Sequence, residues 1–222
     1  MIELELDHLS YSSVNLYLLC PEAWRRQYLL GQRGPASVAL ILGGTIHNVI
    51  EEYLVSGGNL TELWNKHIER KLAEETEIEW GGETPESLTA DGARILRATE
   101  VGNLLANVRR QYNPERSESI ERYVQLRVPG VPIPFIGYID VIMADGVPGD
   151  FKTSSRMWSP DKAANELQPL IYLAALNQLG EHEHNWKFRH FVITKGARPQ
   201  AKMIETQHSA SSALSGLLPQ LQ

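Results

Sequence analysis

The chain has 222 residues, 42% of them hydrophobic, enough to bury one sizeable core, and a single domain over residues 1–222 is expected rather than two independent ones. A formal net charge of −6 argues against unspecific coating of nucleic acid, while leaving room for a local basic groove beside carboxylates. Cys20 is the only cysteine, which excludes an intramolecular disulfide and any zinc or iron–sulfur centre drawing several thiolates from this chain, so a bound metal would need oxygen and nitrogen ligands.

The opening stretch MIELELDHLS carries acids, with neither a basic n-region nor a long apolar run, and no later stretch reaches spanning length; a cytoplasmic protein with no membrane partner is expected. Residues 9–34 read as a short helix packing through Leu16, Leu19 and Cys20, broken at Pro21, followed by an aromatic turn with a basic fringe at Arg25 and Arg26. In GGTIHNVIEEYLVSGG, Gly43–Gly44 precede and Gly57–Gly58 follow a helix with Ile46, Val49, Ile50, Tyr53 and Leu54 at helical spacing. His47 and Glu51, four apart, share one face of it. Two more helical runs, jointed at Gly81–Gly82, form a helical insertion over about 60–115.

At residue 119 the period changes from helix to strand. Ile120, Val124, Leu126 and Val128 alternate with Glu121, Tyr123, Gln125 and Arg127. FIGYIDVIM and VPGDFKTSS flank Asp145–Gly146, a hairpin signal. Ser159 and Pro160 open a helix that Gly180 closes, and WKFRHFVITKG and QAKMIETQ read as two final strands. The order predicts an α/β fold with a mixed sheet behind an N-terminal helical block.

Asp140 is the most informative residue, because it alternates in phase with Ile136, Tyr138 and Ile142 on a largely apolar strand face, where a lone buried carboxylate is expensive. A cation, a hydrogen-bond donor or a raised pKa must compensate; the bland alternative is a carboxylate satisfied by backbone N–H groups or an arginine. If the turn centres on Asp145, Asp150 stands opposite Asp140 on one face; a regular two-residue Asp145–Gly146 loop puts them on opposite faces. Lys152 shares Asp150's face. Two facing carboxylates suit magnesium, and a neighbouring lysine can orient a polarised water.

His47 offers a nitrogen ligand from the helix, with Glu51 as an acid behind it, or else is an exposed histidine near a helix start. Gln168 and Tyr172 repeat the four-residue spacing with an amide and a phenol, suited either to DNA or to packing with a polar rim. The EHEH run at 181–184 reads as a solvated loop rather than a site. Arg25, Arg26, Arg94, Arg97, Arg109, Arg110, Arg156, Lys162, Lys195 and Arg198 could line a nucleic-acid path or be plain solvated positions.

Taken in order, GGTIHNVIEE, GYID, GDFKTS and QPLIY resemble the RecB-like branch of the PD-(D/E)XK nuclease superfamily, and YSSVNLYLLCPEAWRRQYL is similar to that branch's N-terminal stretch; the likeness spans residues 10 to 206. It implies a restriction-endonuclease-like core, a mixed central sheet flanked by helices. It further implies His47, Asp140, Asp150 and the Phe151 carbonyl as ligands for Mg2+ or Mn2+, Lys152 as the catalytic lysine, and Gln168 with Tyr172 as a DNA-contacting pair. Glu121 would be an additional acid and Arg156 a further DNA contact. The activity implied is metal-dependent hydrolysis of DNA from a free end, as exonuclease, in recombination, repair or phage DNA processing.

Many relatives, including CRISPR-associated exonucleases, pair the cysteine of a Cys-Pro element with three later cysteines to hold a four-iron cluster. Cys20–Pro21 keeps the element without any later cysteine, so no iron–sulfur cluster is expected from this chain. It is either a cluster-free member nearer the phage-type exonucleases or a chain that stops before the cysteine segment. Two rival functions share the same motifs: a non-catalytic DNA-end binding module, and a structure-selective endonuclease.

Overall fold

A computed structural model describes residues 6–112 and 119–210. The Ser-rich ending after 210 therefore lies outside the described residues. Residues Tyr11–Leu19 form α1, capped by Ser10 and Ser13, whose side chains each accept from the other's backbone N–H. Pro21 starts the one-turn α2 (Pro21–Trp24), which runs into a π-helical turn, Arg25–Leu29. Leu19 and Cys20 do not pack as the spacing suggested: both are exposed, and Val14 is the buried apolar residue of α1.

Strand β1 (Ala36–Ser37) leads into the central helix α3 (Val38–Ser56), capped by Ser37. The helix begins before Gly43–Gly44, the glycines expected to precede it. A Cβ on Gly43 would lie 3.1 Å from Thr153 Oγ1, so glycine within the helix lets α3 press against the sheet. At 19 residues α3 is also long and apolar enough to cross a membrane by length and composition, contrary to the sequence expectation; here Ile41, Ile46, Val49, Ile50 and Leu54 are buried in the core.

Helix α4 (Leu60–Glu74), the short strand β2 (Ile78–Glu79, parallel to β1), α5 (Pro85–Arg97) and α6 (Thr99–Gln111) complete this block. The last two, expected as one run, break at the extended Ala98. Trp64 of α4 is fully buried and donates its indole N–H to the Thr89 carbonyl at 2.9 Å, lying flat enough on α5 that only glycine fits at position 92.

Five strands form the sheet in sequential order: β3 (Ile120–Leu126), β4 (Phe135–Ile142), β5 (Pro148–Ser154), β6 (Lys187–Thr194) and β7 (Ala201–Gln207). All neighbours are antiparallel except β5 and β6, which run parallel across a helical connection. That connection, expected as one helix, is two: α7 (Pro160–Ala164) and α8 (Leu167–Gln178). Pro169 explains the break, since in a continuous helix its ring would meet the carbonyl four residues earlier, whereas the first turn of a new helix tolerates it.

One sheet face carries Phe135, Ile139, Ile142 and Phe188 against Ile171, Tyr172, Leu173 and Leu176 of α8. The other carries Val141, Phe151, Phe191 and Ile193 against α3–α6, so the sheet lies between two helical layers. Gly92→Ala would bring a Cβ to 2.0 Å from the Trp64 ring, and it is expected to cost about 1–3 kcal/mol in urea unfolding through overpacking.

Candidate active site

The site is built where β4 and β5 part. Between them Met143 donates its N–H to the Val147 carbonyl at 3.0 Å, enclosing a three-residue loop of Ala144, Asp145 and Gly146. Gly146 adopts φ +79°, which glycine takes at no steric cost. Asp145 accepts the Val147 N–H, and Arg189 from β6 clamps both its oxygens at 3.0 and 2.6 Å. The loop aligns Ile142 with Pro148 and Val141 with Gly149. The paired ladder ends at Val141–Gly149; continued one step, that register would bring Asp140 opposite Asp150. The turn centres on Asp145, the arrangement that brings the two carboxylates to one place.

The Phe151 N–H donates to Asp140 Oδ2 at 2.6 Å instead of to a β4 carbonyl, and His47 Nδ1 of α3 lies 3.5 Å from the same oxygen. Of the in-phase neighbours of Asp140, Ile142 is buried and Tyr138 is 53% exposed, and Asp140 itself borders an open cleft. Burial, then the charge of Asp150, push the Asp140 carboxyl well above the usual carboxylate range; the Phe151 N–H and the Lys152 ammonium pull the other way. Burial also holds His47 below the ordinary imidazole value, against Asp150 and the Phe151 backbone, which favour its charged form.

Asp150 is buried, and its two oxygens differ. Oδ1 accepts from Gln168 Nε2 at 2.5 Å. Oδ2 has the Lys152 ammonium 2.7 Å away but off the hydrogen-bonding direction, and it is a buried oxygen without a hydrogen bond. Gln168 also reaches the Tyr172 hydroxyl at 3.3 Å, and its own Oε1 is buried without a partner. The Tyr172 ring leaves no room for a side chain at 137, since a Cβ there would lie 2.7 Å from Cε1. Gln168 and Tyr172, expected to face DNA, are thus buried; in this structure Gln168 touches Asp150.

Glu121 has φ +50°, unusual for a non-glycine residue, and lies between the pairs Ile120–Val141 and Arg122–Ile139, opposite Asp140. Burial, then the charge of Glu51, raise its carboxyl pKa. His47, Glu51, Glu121, Asp140 and Thr153 line a cleft of about 480 Å³ whose α3 wall is opened by Gly43 and Gly44. Arg156 is exposed just past β5 and is not among these lining residues.

Several other candidates are taken up locally. Arg25 and Arg26 pair with Glu22, Lys162 with Glu166, and Arg94 with Asp91, while Arg109 donates to the Tyr53 carbonyl. The EHEH run is not simply solvated: Glu181 pairs with Arg122 at 2.9 Å, and His184 is buried, accepting the Trp186 N–H. The sequence reading missed His190, fully buried beside Asp150 in the β5–β6 register; only its apolar strand neighbours marked it as inward-facing.

Among the described residues, no three His, Cys, Asp or Glu side chains form a ready-made metal cluster. The donor chemistry nevertheless fits a hard cation: burial and then the charge of Asp150 raise the Asp140 carboxyl, and Asp150 Oδ2 is buried without a hydrogen bond.

The chain matches the PD-(D/E)XK nuclease superfamily over residues 8–220 and belongs to it. Nucleic acid is the substrate class that membership implies. Among solved structures, a candidate exonuclease from Eubacterium rectale is 14% identical with a TM-score of 0.60, over 97% of this chain and 77% of that one; the likeness is one of fold. SSO0001 is 13% identical with a TM-score of 0.35, over 85% and 75% of the two chains. No curated protein matches.

The raised Asp140 pKa sets a pH dependence. Below the unfolded carboxylate value of about 3.9 the acid is neutral in both states; as the pH rises toward the higher folded value, ionising it increasingly destabilises the fold. Asp140→Asn keeps an oxygen for the Phe151 N–H. In chelator-treated protein it is expected to raise Tm near neutral pH, with the gain shrinking as the pH falls to about 4.

Proposed function

We propose that the protein is a divalent-metal-dependent deoxyribonuclease that hydrolyses DNA phosphodiesters from a free end. The observation that supports this reading is the three-residue hairpin loop, with Asp140 within electrostatic reach of Asp150 and the Lys152 ammonium 2.7 Å from Asp150 Oδ2. Asp140, Asp150, His47 and the Phe151 carbonyl would hold Mg2+ or Mn2+. Such a cation supplies an activated water and stabilises charge on the scissile phosphoryl oxygen.

The chain's own residues do the rest. Gln168 holds Asp150 Oδ1 and so fixes that carboxylate's rotation, leaving Oδ2 for a ligand. Lys152 orients the attacking water and offsets developing negative charge. His47, kept neutral by burial, has a nitrogen lone pair to give. Thr153 and the glycine-lined wall of α3 leave the cleft open to a phosphate backbone, with Arg156 as a contact further out.

Asp150→Asn and Lys152→Ala are each expected to leave a folded protein with DNA degradation reduced at least about 100-fold, and a chelator should abolish the wild-type activity. Release of labelled nucleotides from linear DNA, with closed circles left intact, is the outcome that supports exonuclease action. Cutting of closed circles would make it an endonuclease, and end binding without nucleotide release would make it a binding module.

Mg2+ should also raise the wild-type Tm in proportion to the logarithm of its concentration above Kd, and it should do so far less in Asp150→Asn.

A further inference from the structure

Tyr11, the first residue of α1, is fastened from three sides. Just before it, Leu9 is stitched to β4: its N–H donates to the Pro134 carbonyl and its carbonyl accepts the Ile136 N–H, both at 2.8 Å. Ser10 and Ser13 lock the helix start through their reciprocal cap. The Tyr11 hydroxyl donates to Glu166 at 2.8 Å, and Lys162 holds that carboxylate's other oxygen at 2.7 Å. Glu166 lies in the α7–α8 break made necessary by Pro169. All of this delivers one aromatic face to Lys152, whose ammonium is 5.7 Å from the ring centroid, within cation–π range.

We propose that Tyr11 is a positioning residue for the Lys152 ammonium, an inference that rests on the nuclease reading for its catalytic meaning. Besides the charge of Asp140, Lys152 has the Asp150 carboxylate at 2.7 Å and the Tyr11 ring as attractive partners. The carboxylate also belongs to the proposed ligand set, so its charge is shared once a divalent ion is bound. The ring does not ligate. It keeps attracting the ammonium when the carboxylate's pull is divided, and holds at the scissile phosphate a flexible side chain that would otherwise swing into solvent. The hydroxyl is the anchor and the π-face is the working surface.

The first test needs no activity. In the metal-free protein with 13Cε-labelled lysine, the Lys152 Hε protons should show nuclear Overhauser contacts to the Tyr11 ring and an upfield ring-current shift that Tyr11→Leu removes. Absence of those contacts in the wild type overturns the proposal, whether or not the variant folds. The second test is kinetic. Tyr11→Leu should lower kcat about 10- to 100-fold, as misplacing a catalytic group does, with KM for DNA and Mg2+ affinity by calorimetry within about two-fold of wild type. Tyr11→Phe, which keeps the ring, should recover most of that loss.

A Tyr11→Leu defect confined to Tm or KM, or Tyr11→Phe as impaired in kcat as Tyr11→Leu, would mean that the residue merely anchors α1, and the proposal would fail. Wild-type protein that degrades no DNA with Mg2+ or Mn2+ would defeat the nuclease reading instead, leaving the Lys152–ring contact to be decided by the resonance data.

Discussion

The register of a single hairpin governs the site. Asp140 and Asp150 meet because the β4–β5 connection holds three residues, Ala144, Asp145 and Gly146, and so centres on Asp145. One residue fewer would send the carboxylates to opposite faces, since side chains on a strand alternate. The turn is accordingly well secured: a glycine takes the left-handed position, and Arg189 reaches from β6 to clamp the Asp145 carboxylate while also pairing with Glu205 of β7. Four strands, β4 to β7, thus cooperate in setting which residue faces which at the cleft.

Bringing two acids together in a buried place is unfavourable, and the surrounding structure shows how the strain is divided. The Phe151 N–H leaves the sheet ladder for Asp140, Gln168 takes one oxygen of Asp150, and Lys152 brings positive charge. These contacts do not remove the cost: burial, then the charge of Asp150, still push the Asp140 carboxyl up. A stable fold seldom retains such a pair without a use for it, and perturbed carboxylates in a cleft are a mark of function. Glu121, facing the same cleft in a strained backbone conformation, adds a further acid to it.

Much of this was legible in the sequence, for identifiable reasons. Period-two alternation exposed β3, and a glycine-bounded apolar run exposed most of α3. The hairpin signal at Asp145–Gly146 brought Asp140 and Asp150 into play, yet dipeptide chemistry alone does not distinguish a two- from a three-residue loop. Other features depend on tertiary contact. Glycines 43 and 44 read as a helix boundary but lie inside α3, where Gly43 serves the approach of the helix to Thr153. Leu19 has helical spacing yet is exposed, and His184 looks like a loop residue yet is buried, because burial is decided by what packs on top. The spacing of Gln168 and Tyr172 was plain, whereas the grip of Gln168 on Asp150 appears only when α8 is laid on the sheet.

Convergence of Asp140 and Asp150 on one cation is open to test in crystals grown with Mn2+, through the metal's anomalous scattering. A Mn2+ peak is expected within bonding distance of oxygens from both aspartates, with Lys152 beside it. A peak held by one aspartate alone, or none in the cleft at saturating Mn2+, would contradict it.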